Sequence, residues 1–196
     1  MTYDAVKVPV VAPRSRVAIE AEARRLLAAI APECLRSPSP APMVAIFDME
    51  LRKRFDFVAH VAALAPGLEG ITDCVEREVI LPPHIYEGME NGDGRCRFSA
   101  AHETGHVVLH ADELASRVGA KLVNGGNVLL ARRSTIKPYL DPEWQANAFA
   151  AGLLMPEEMV RRLASQTRRY LLAGSIMSAF AVSREAADNR IIKLGL

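Results

Sequence analysis

Residues 97 to 110 read Arg-Phe-Ser-Ala-Ala-His-Glu-Thr-Gly-His-Val-Val-Leu-His, and His102, Glu103 and His106 within them are spaced as only a helix can use. Residues four apart on an α-helix lie one turn, about 5.4 Å, above each other, so both imidazoles can converge on one metal ion. Glu103 is rotated off that axis, yet close enough to take a proton from a water activated by the ion. Phe98, His102, Gly105, His106 and Leu109 recur at helical spacing, which predicts that the site faces inward, and Ser99 is the expected N-cap. A helix with its working face turned inward needs a second element opposite to complete the site.

Two histidines leave a tetrahedral ion short of protein ligands. His110 lies eight residues beyond His102, within what reads as continuing helix, and is read as a packing residue or a partner to a ligand rather than a ligand. Glu143 is the better candidate. Asp141 as N-cap and Pro142 at the first position announce a helix, Pro156 marks its end, and Glu143 falls in the first turn, where the helix dipole alone would also favour an acidic residue. Asn147, one turn on and on the same face, is placed to hydrogen-bond a metal-bound histidine from behind.

The stretch from Arg97 to His110, followed by Glu143-Trp144-Gln145-Ala146-Asn147-Ala148-Phe149-Ala150-Ala151-Gly152-Leu153-Leu154-Met155-Pro156, resembles the paired signature of the ImmA/IrrE-type zinc metallopeptidases. The resemblance implies an α+β domain of gluzincin-like architecture, with a small mixed or antiparallel sheet packed against the helices that include the His-Glu-x-x-His helix. It further implies Zn²⁺ held by His102, His106 and Glu143, with Glu103 as catalytic base. A helix-turn-helix transcriptional repressor, encoded nearby, is the substrate it suggests. The long stretch from Ala111 to Leu140 departs from the family pattern as an insert.

Composition excludes several other classes. With 24 Lys and Arg against 23 Asp and Glu there is no basic excess to favour nucleic acid or a membrane surface in general. The cysteines Cys34, Cys74 and Cys96 are odd in number and widely spaced, which suits a reducing cytoplasm. Cys96, six residues before His102, leaves open an inhibitory thiolate on the metal beside the plainer reading of a free thiol. No apolar run approaches the roughly 18 residues of a membrane span, and the first residues lack signal-peptide organisation.

Residues 1–14 read as a loose arm and 15–170 as the metallopeptidase-like domain; 171–196 read as a helical hairpin packed on it. Ser15 opens a helix with an Ile19, Ala23, Leu26, Leu27, Ile30 stripe, and a second helix is expected from Met43 to Arg54. Phe55 to Val61 alternates as a strand, though helix is possible there. Ile71–Val75 and Glu78–Leu81 form an expected hairpin closed by Pro82-Pro83, whose edge could border the cleft and hold substrate by strand addition. Met89 to Gly94 reads as a flexible loop. His60 and His84 stand alone and are read as surface or packing residues. Arg132, Arg133, Lys137 and Tyr139 could place a cation or phenol at an oxyanion, or form a solvated loop.

The C-terminal segment, Ile176–Phe180, a turn at Ala181–Ser183 and Arg184–Leu194, resembles a DNA-binding helix-turn-helix and supplies a rival function. Its second helix sets Glu185 and Asp188 against Arg184, Arg190 and Lys193, a weak attraction for phosphates. Limited proteolysis of one protein partner is therefore the reading. A zinc-dependent sensor without turnover and a DNA-binding regulator are the alternatives, and oligomeric state is left open.

Overall fold

The computed structural model describes residues 7–124, 130–132 and 137–196. Ser15 accepts from the Ala18 amide and opens α1 (Arg16–Ile30), whose Ile19, Ala23, Leu26 and Leu27 are buried as the stripe requires. α2 (Met43–Ala45), a π-helical turn (Ile46–Glu50) and α3 (Leu51–Phe55) follow without a break, and Asp56 ends the run in the left-handed region at φ 55°. The expected strand from Phe55 is thus shortened. Phe57, fully buried, plugs the core ahead of β2 (Val58–Val61).

β3 (Ile71–Asp73) and β4 (Glu78–Leu81) form the expected hairpin, with Arg77 at φ 56° in its turn. β2 joins β4 in parallel, giving a mixed sheet in the order β2-β4-β3 with β3 at an edge. Pro83 does more than close the hairpin: it is the first residue of α4 (Pro83–Glu90), where a missing amide hydrogen costs nothing. The loop expected from Met89 is correspondingly short. Asp93 Oδ1 accepts from the amides of Arg95 and Cys96 and starts α5 (Gly94–Asn124) nearly two turns earlier than expected. Ser99 is therefore no cap but a buried residue inside the helix, donating to Glu69.

α5 runs on through the first half of the stretch read as an insert. β5 (Leu130–Arg132) pairs antiparallel with β1 (Lys7–Pro9), while residues 1–6, 125–129 and 133–136, Arg133 among them, lie outside the described residues. Residues 10–14 are not loose. Val11 is buried and donates to Leu140, Arg14 donates to Tyr139, and the Ala12 amide donates to Glu113 of α5.

Asp141 accepts from the Glu143 amide and Pro142 takes the first position of α6 (Pro142–Leu154), the innermost helix. α6 packs between two helices that approach through glycine. A Cβ on Gly105 would stand 3.1 Å from Ala146 Cα, and one on Gly152 would stand 3.1 Å from Glu20 Cγ, so α5 and α1 each lie close against it. α7 (Glu157–Gln166), α8 (Leu172–Phe180) and α9 (Arg184–Leu194) close the molecule. Among the described residues no helix is long and apolar enough to cross a membrane.

The α8–α9 turn is fastened to the start of α5. Arg97, 6% exposed, donates to the carbonyls of Ala181 and Ala41, and a Cβ on Gly94 would meet the Ser183 nitrogen at 2.2 Å. Since that obstacle is backbone, Gly94→Ala is expected to lower unfolding stability by about 1–3 kcal/mol, the usual cost of overpacking. Urea denaturation measures it, and an unchanged midpoint would contradict this contact.

Candidate metal centre

Three side chains from two helices meet at the crossing of α5 and α6. His102 and His106 stand one turn apart on α5, with their Nε2 atoms 3.0 Å from each other. Glu143, in the first turn of α6, places Oε2 3.4 Å from His102 Nε2 and Oε1 3.4 Å from His106 Nε2. A tetrahedral ion with zinc-like bonds has ligand-to-ligand edges of about 3.4 Å. Each nitrogen thus has the other nitrogen and one Glu143 oxygen at about that edge length, and among the described residues this is the one group of three His, Cys, Asp or Glu side chains with ligand atoms so close together. Two nitrogens and a carboxylate oxygen suit zinc, and three protein ligands leave a fourth position open.

The local field also favours a cation. Burial opposes charge on His102, but the Glu143 and Glu103 carboxylates, with Asn147, outweigh it and hold its pKa above the ordinary value. Groups that favour a proton there favour a metal ion at the same spot. His106 is pushed down to about 3, chiefly by burial and then by His102, so its ring is neutral as a ligand must be.

Each imidazole is held from behind. Asn147 Oδ1 lies 3.1 Å from His102 Nδ1, so the ring donates there and leaves the Nε2 lone pair directed at the centre. For His106 the partner is His110: the two Nδ1 atoms are 3.2 Å apart, and His110 Nε2 is 3.2 Å from Gln145 Oε1. Gln145 donates from Nε2 to the carbonyls of Ala12 and Tyr139, each at 2.9 Å. A single assignment satisfies every atom. His106 donates to His110, His110 donates to Gln145, and Gln145 donates to the backbone on either side. A second proton on His110 would oppose two N–H groups, in keeping with a pKa pushed down to about 4 by burial. His110 is thus not brought into the ligand triangle.

The Glu103 carboxylate is held against the sheet. Thr72 of β3 donates from Oγ1 to Glu103 Oε2 at 2.6 Å, and a Cβ on Gly70 would lie 2.6 to 2.8 Å from the Glu103 Cγ, Cδ and Oε1 atoms. The carboxylate occupies the space left by the missing side chain. It is 8% exposed, and burial raises its pKa despite the Thr72 hydrogen bond. Gly70, Thr72 and Gln145 escaped the sequence reading because no spacing relates a strand to a helix some thirty residues later. Gln145 could have been suspected from its place two residues after Glu143.

Other sequence candidates lie elsewhere. The Cys96 sulfur packs against Gly88 and bonds the His84 carbonyl of α4 at 3.9 Å, so it faces α4 rather than the His102–His106–Glu143 group, and burial, then Asp93, pushes its thiol up to about 11. His60 pairs with Glu78 along the sheet, and His84 is exposed. Tyr139 contributes its carbonyl, to Gln145 and Arg14, and Lys137 lies over the Tyr139 ring.

Removing His110 leaves the His106 donor without its acceptor. His110→Ala is expected to weaken zinc binding about 10- to 100-fold, measured by competition with a chromophoric chelator; unchanged affinity would mean that the histidine chain does not steady the ligand.

A family model described as the IrrE N-terminal-like domain, of a peptidase family, matches residues 73–191, a span that contains both ligand-bearing helices. No curated protein sequence matches the chain. Among solved structures it is similar to a Mycobacterium tuberculosis transcriptional regulator at 17% identity and a TM-score of 0.57, over 88% of this chain. It spans 46% of that protein's length, and at this identity the likeness is one of fold. The family match covers more than half of the residues, and the chain belongs to the IrrE N-terminal-like peptidase domain family.

Proposed function

We infer that the protein is a zinc metallopeptidase that cleaves one protein partner at a limited site. The observation that carries this reading is the convergence of His102, His106 and Glu143 at 3.0 to 3.4 Å, with the Glu103 carboxylate buried beside them. Zinc bound there would polarise a peptide carbonyl and make a water acidic enough to attack it. Glu103, made more basic by burial, takes the proton of the attacking water and returns it to the departing amine. Thr72 and Gly70 hold that carboxylate in place, and β3, an edge strand, runs beside it where an extended substrate could add as a further strand.

A helix-turn-helix repressor encoded nearby is the proposed substrate, on the strength of the family resemblance. Direct DNA binding by α8 and α9 has less support. Arg190 is engaged by Glu20 and by the Met155 carbonyl, and Arg184 is paired with Asp188.

Glu103→Gln removes the base and no ligand, so zinc content and melting temperature should hold while cleavage of the repressor falls by about 100-fold or more. Glu143→Ala should lose the metal, as read by elemental analysis. Repressor loss that is equal in wild type and Glu103→Gln, followed by immunoblot, would remove the peptidase reading in favour of a sensor. Gly70→Ala forces the flexible Glu103 side chain out of its niche. It should cut cleavage by about tenfold or more while zinc content stays whole; full activity would show that the niche does not position the base.

A further inference from the structure

A groove of about 770 Å³ runs from Asn147, which braces His102 from behind, to the α1–α9 corner. At one end are Ser99, a turn before His102 on α5, and Asn147, which holds the His102 ring. Its floor is apolar, made by Phe98, Trp144, Ala148, Ala151 and Met155. Its far wall comes from the first turn of α1 and the outward face of α9, with Arg16, Asn189 and Lys193.

The charges around it are unequal. Five cationic side chains line it against three carboxylates, in a chain whose overall net charge is +1. Of the carboxylates, Glu20 is taken by Arg190 at 2.7 and 2.9 Å and Glu69 by Arg95 and Ser99, while the third, Glu185, stands in the first turn of α9. Arg184 is taken by Asp188. Arg16 and Lys193 have no carboxylate partner among the described residues; Arg16 instead donates to the Lys193 carbonyl at 3.4 Å. Burial and then the neighbouring Arg16 and Arg190 press the Lys193 pKa down, the sign of a cation among cations that a carboxylate would relieve.

We propose that this groove seats an acidic, amphipathic segment of the substrate protein beside the scissile bond, with apolar side chains on the Phe98–Trp144–Met155 floor and carboxylates against Arg16 and Lys193. The proposal rests on the peptidase reading and adds what that site selects. A protein segment fits better than nucleic acid, because the floor is apolar and carboxylates interrupt the basic rim, whereas a phosphate backbone rewards an unbroken one. Selection by an extended groove also accounts for narrow specificity, since the apolar floor gives affinity and the two cations reject basic segments.

Trp144 is the single tryptophan of the chain and lies in the floor, so its emission reports occupancy directly. The zinc-loaded Glu103→Gln protein, which leaves the peptide intact, is titrated with a blocked peptide of leucine, alanine and glutamate and with the same peptide carrying lysine for glutamate. The acidic peptide is expected to shift Trp144 emission saturably and to weaken with salt, and the basic peptide to leave the emission unmoved. Arg16→Glu with Lys193→Gln should weaken the acidic peptide about tenfold or more. Arg16→Glu puts an acidic residue in the first turn of α1, where the helix favours it, so the fold is kept. Arg25→Glu, a like charge change on the exposed side of α1, should leave binding as it was.

Equal binding of both peptides, unaltered binding in the double variant, or a Trp144 shift produced by duplex DNA would each overturn the proposal. Cleavage by wild type is scored separately. Groove binding without Glu103-dependent cleavage refutes the peptidase reading alone, and such cleavage with the double variant unimpaired refutes the groove alone.

Discussion

The crossing of α5 and α6 at Gly105 is the contact on which the site depends. With no Cβ on Gly105, the α5 surface between the two histidines lies against the Ala146 backbone and Phe149. Glu143 sits one turn before Ala146 on α6, so the close crossing is what carries its carboxylate to within 3.4 Å of both imidazoles. A side chain at Gly105 would meet the Ala146 backbone at 3.1 Å and press the two helices apart there. Small residues here are therefore a condition of the chemistry as well as of packing.

Around that crossing, polar groups are paired in a consistent order. His102 is braced by Asn147 from α6, and His106 by His110 and then by Gln145, also from α6. The same helix thus supplies Glu143, the partner of His102, and the residue that anchors His110 behind His106. Gln145 carries the chain on to Ala12 and Tyr139, which ties residues 10–14 and the short turn before α6 to the centre. Burying so many titratable groups is tolerable because each finds a partner. Glu103 is treated differently: it is buried, bonded by Thr72 among the described residues, and left more basic than an ordinary glutamate.

Short-range reasoning carried far in this chain. The motif from His102 to His106 specifies its own geometry because both ligands lie on one helix, and the pairing of Asp141 with Pro142 specifies the start of α6. Ser15 as a cap, the β3–β4 hairpin and the α8–α9 pair were legible for the same reason: each signal lies within a few residues of its effect. Where expectation and structure part, two local signals compete. Asp93 and Ser99 could each cap a helix, and the earlier one prevails because Asp93 reaches two free amides, whereas Ser99 is drawn into a bond with Glu69. A Met-Glu-Asn-Gly-Asp-Gly run looks like a loop, yet its first two residues finish α4.

By itself, then, the sequence determined the two helices and the imidazole and carboxylate residues that each carries toward the site, since helical spacing and capping act over one or two turns. Tertiary structure alone decided that the helices cross at Gly105 and that Gly70 and Thr72 of a distant strand hold Glu103. It also decided that His110 turns back to Gln145 rather than toward the ions it could in principle bind. The groove between α5, α6, α1 and α9 belongs to the same category. These depend on contacts between residues from about thirty to well over a hundred positions apart, and no periodicity in the chain encodes which surfaces meet.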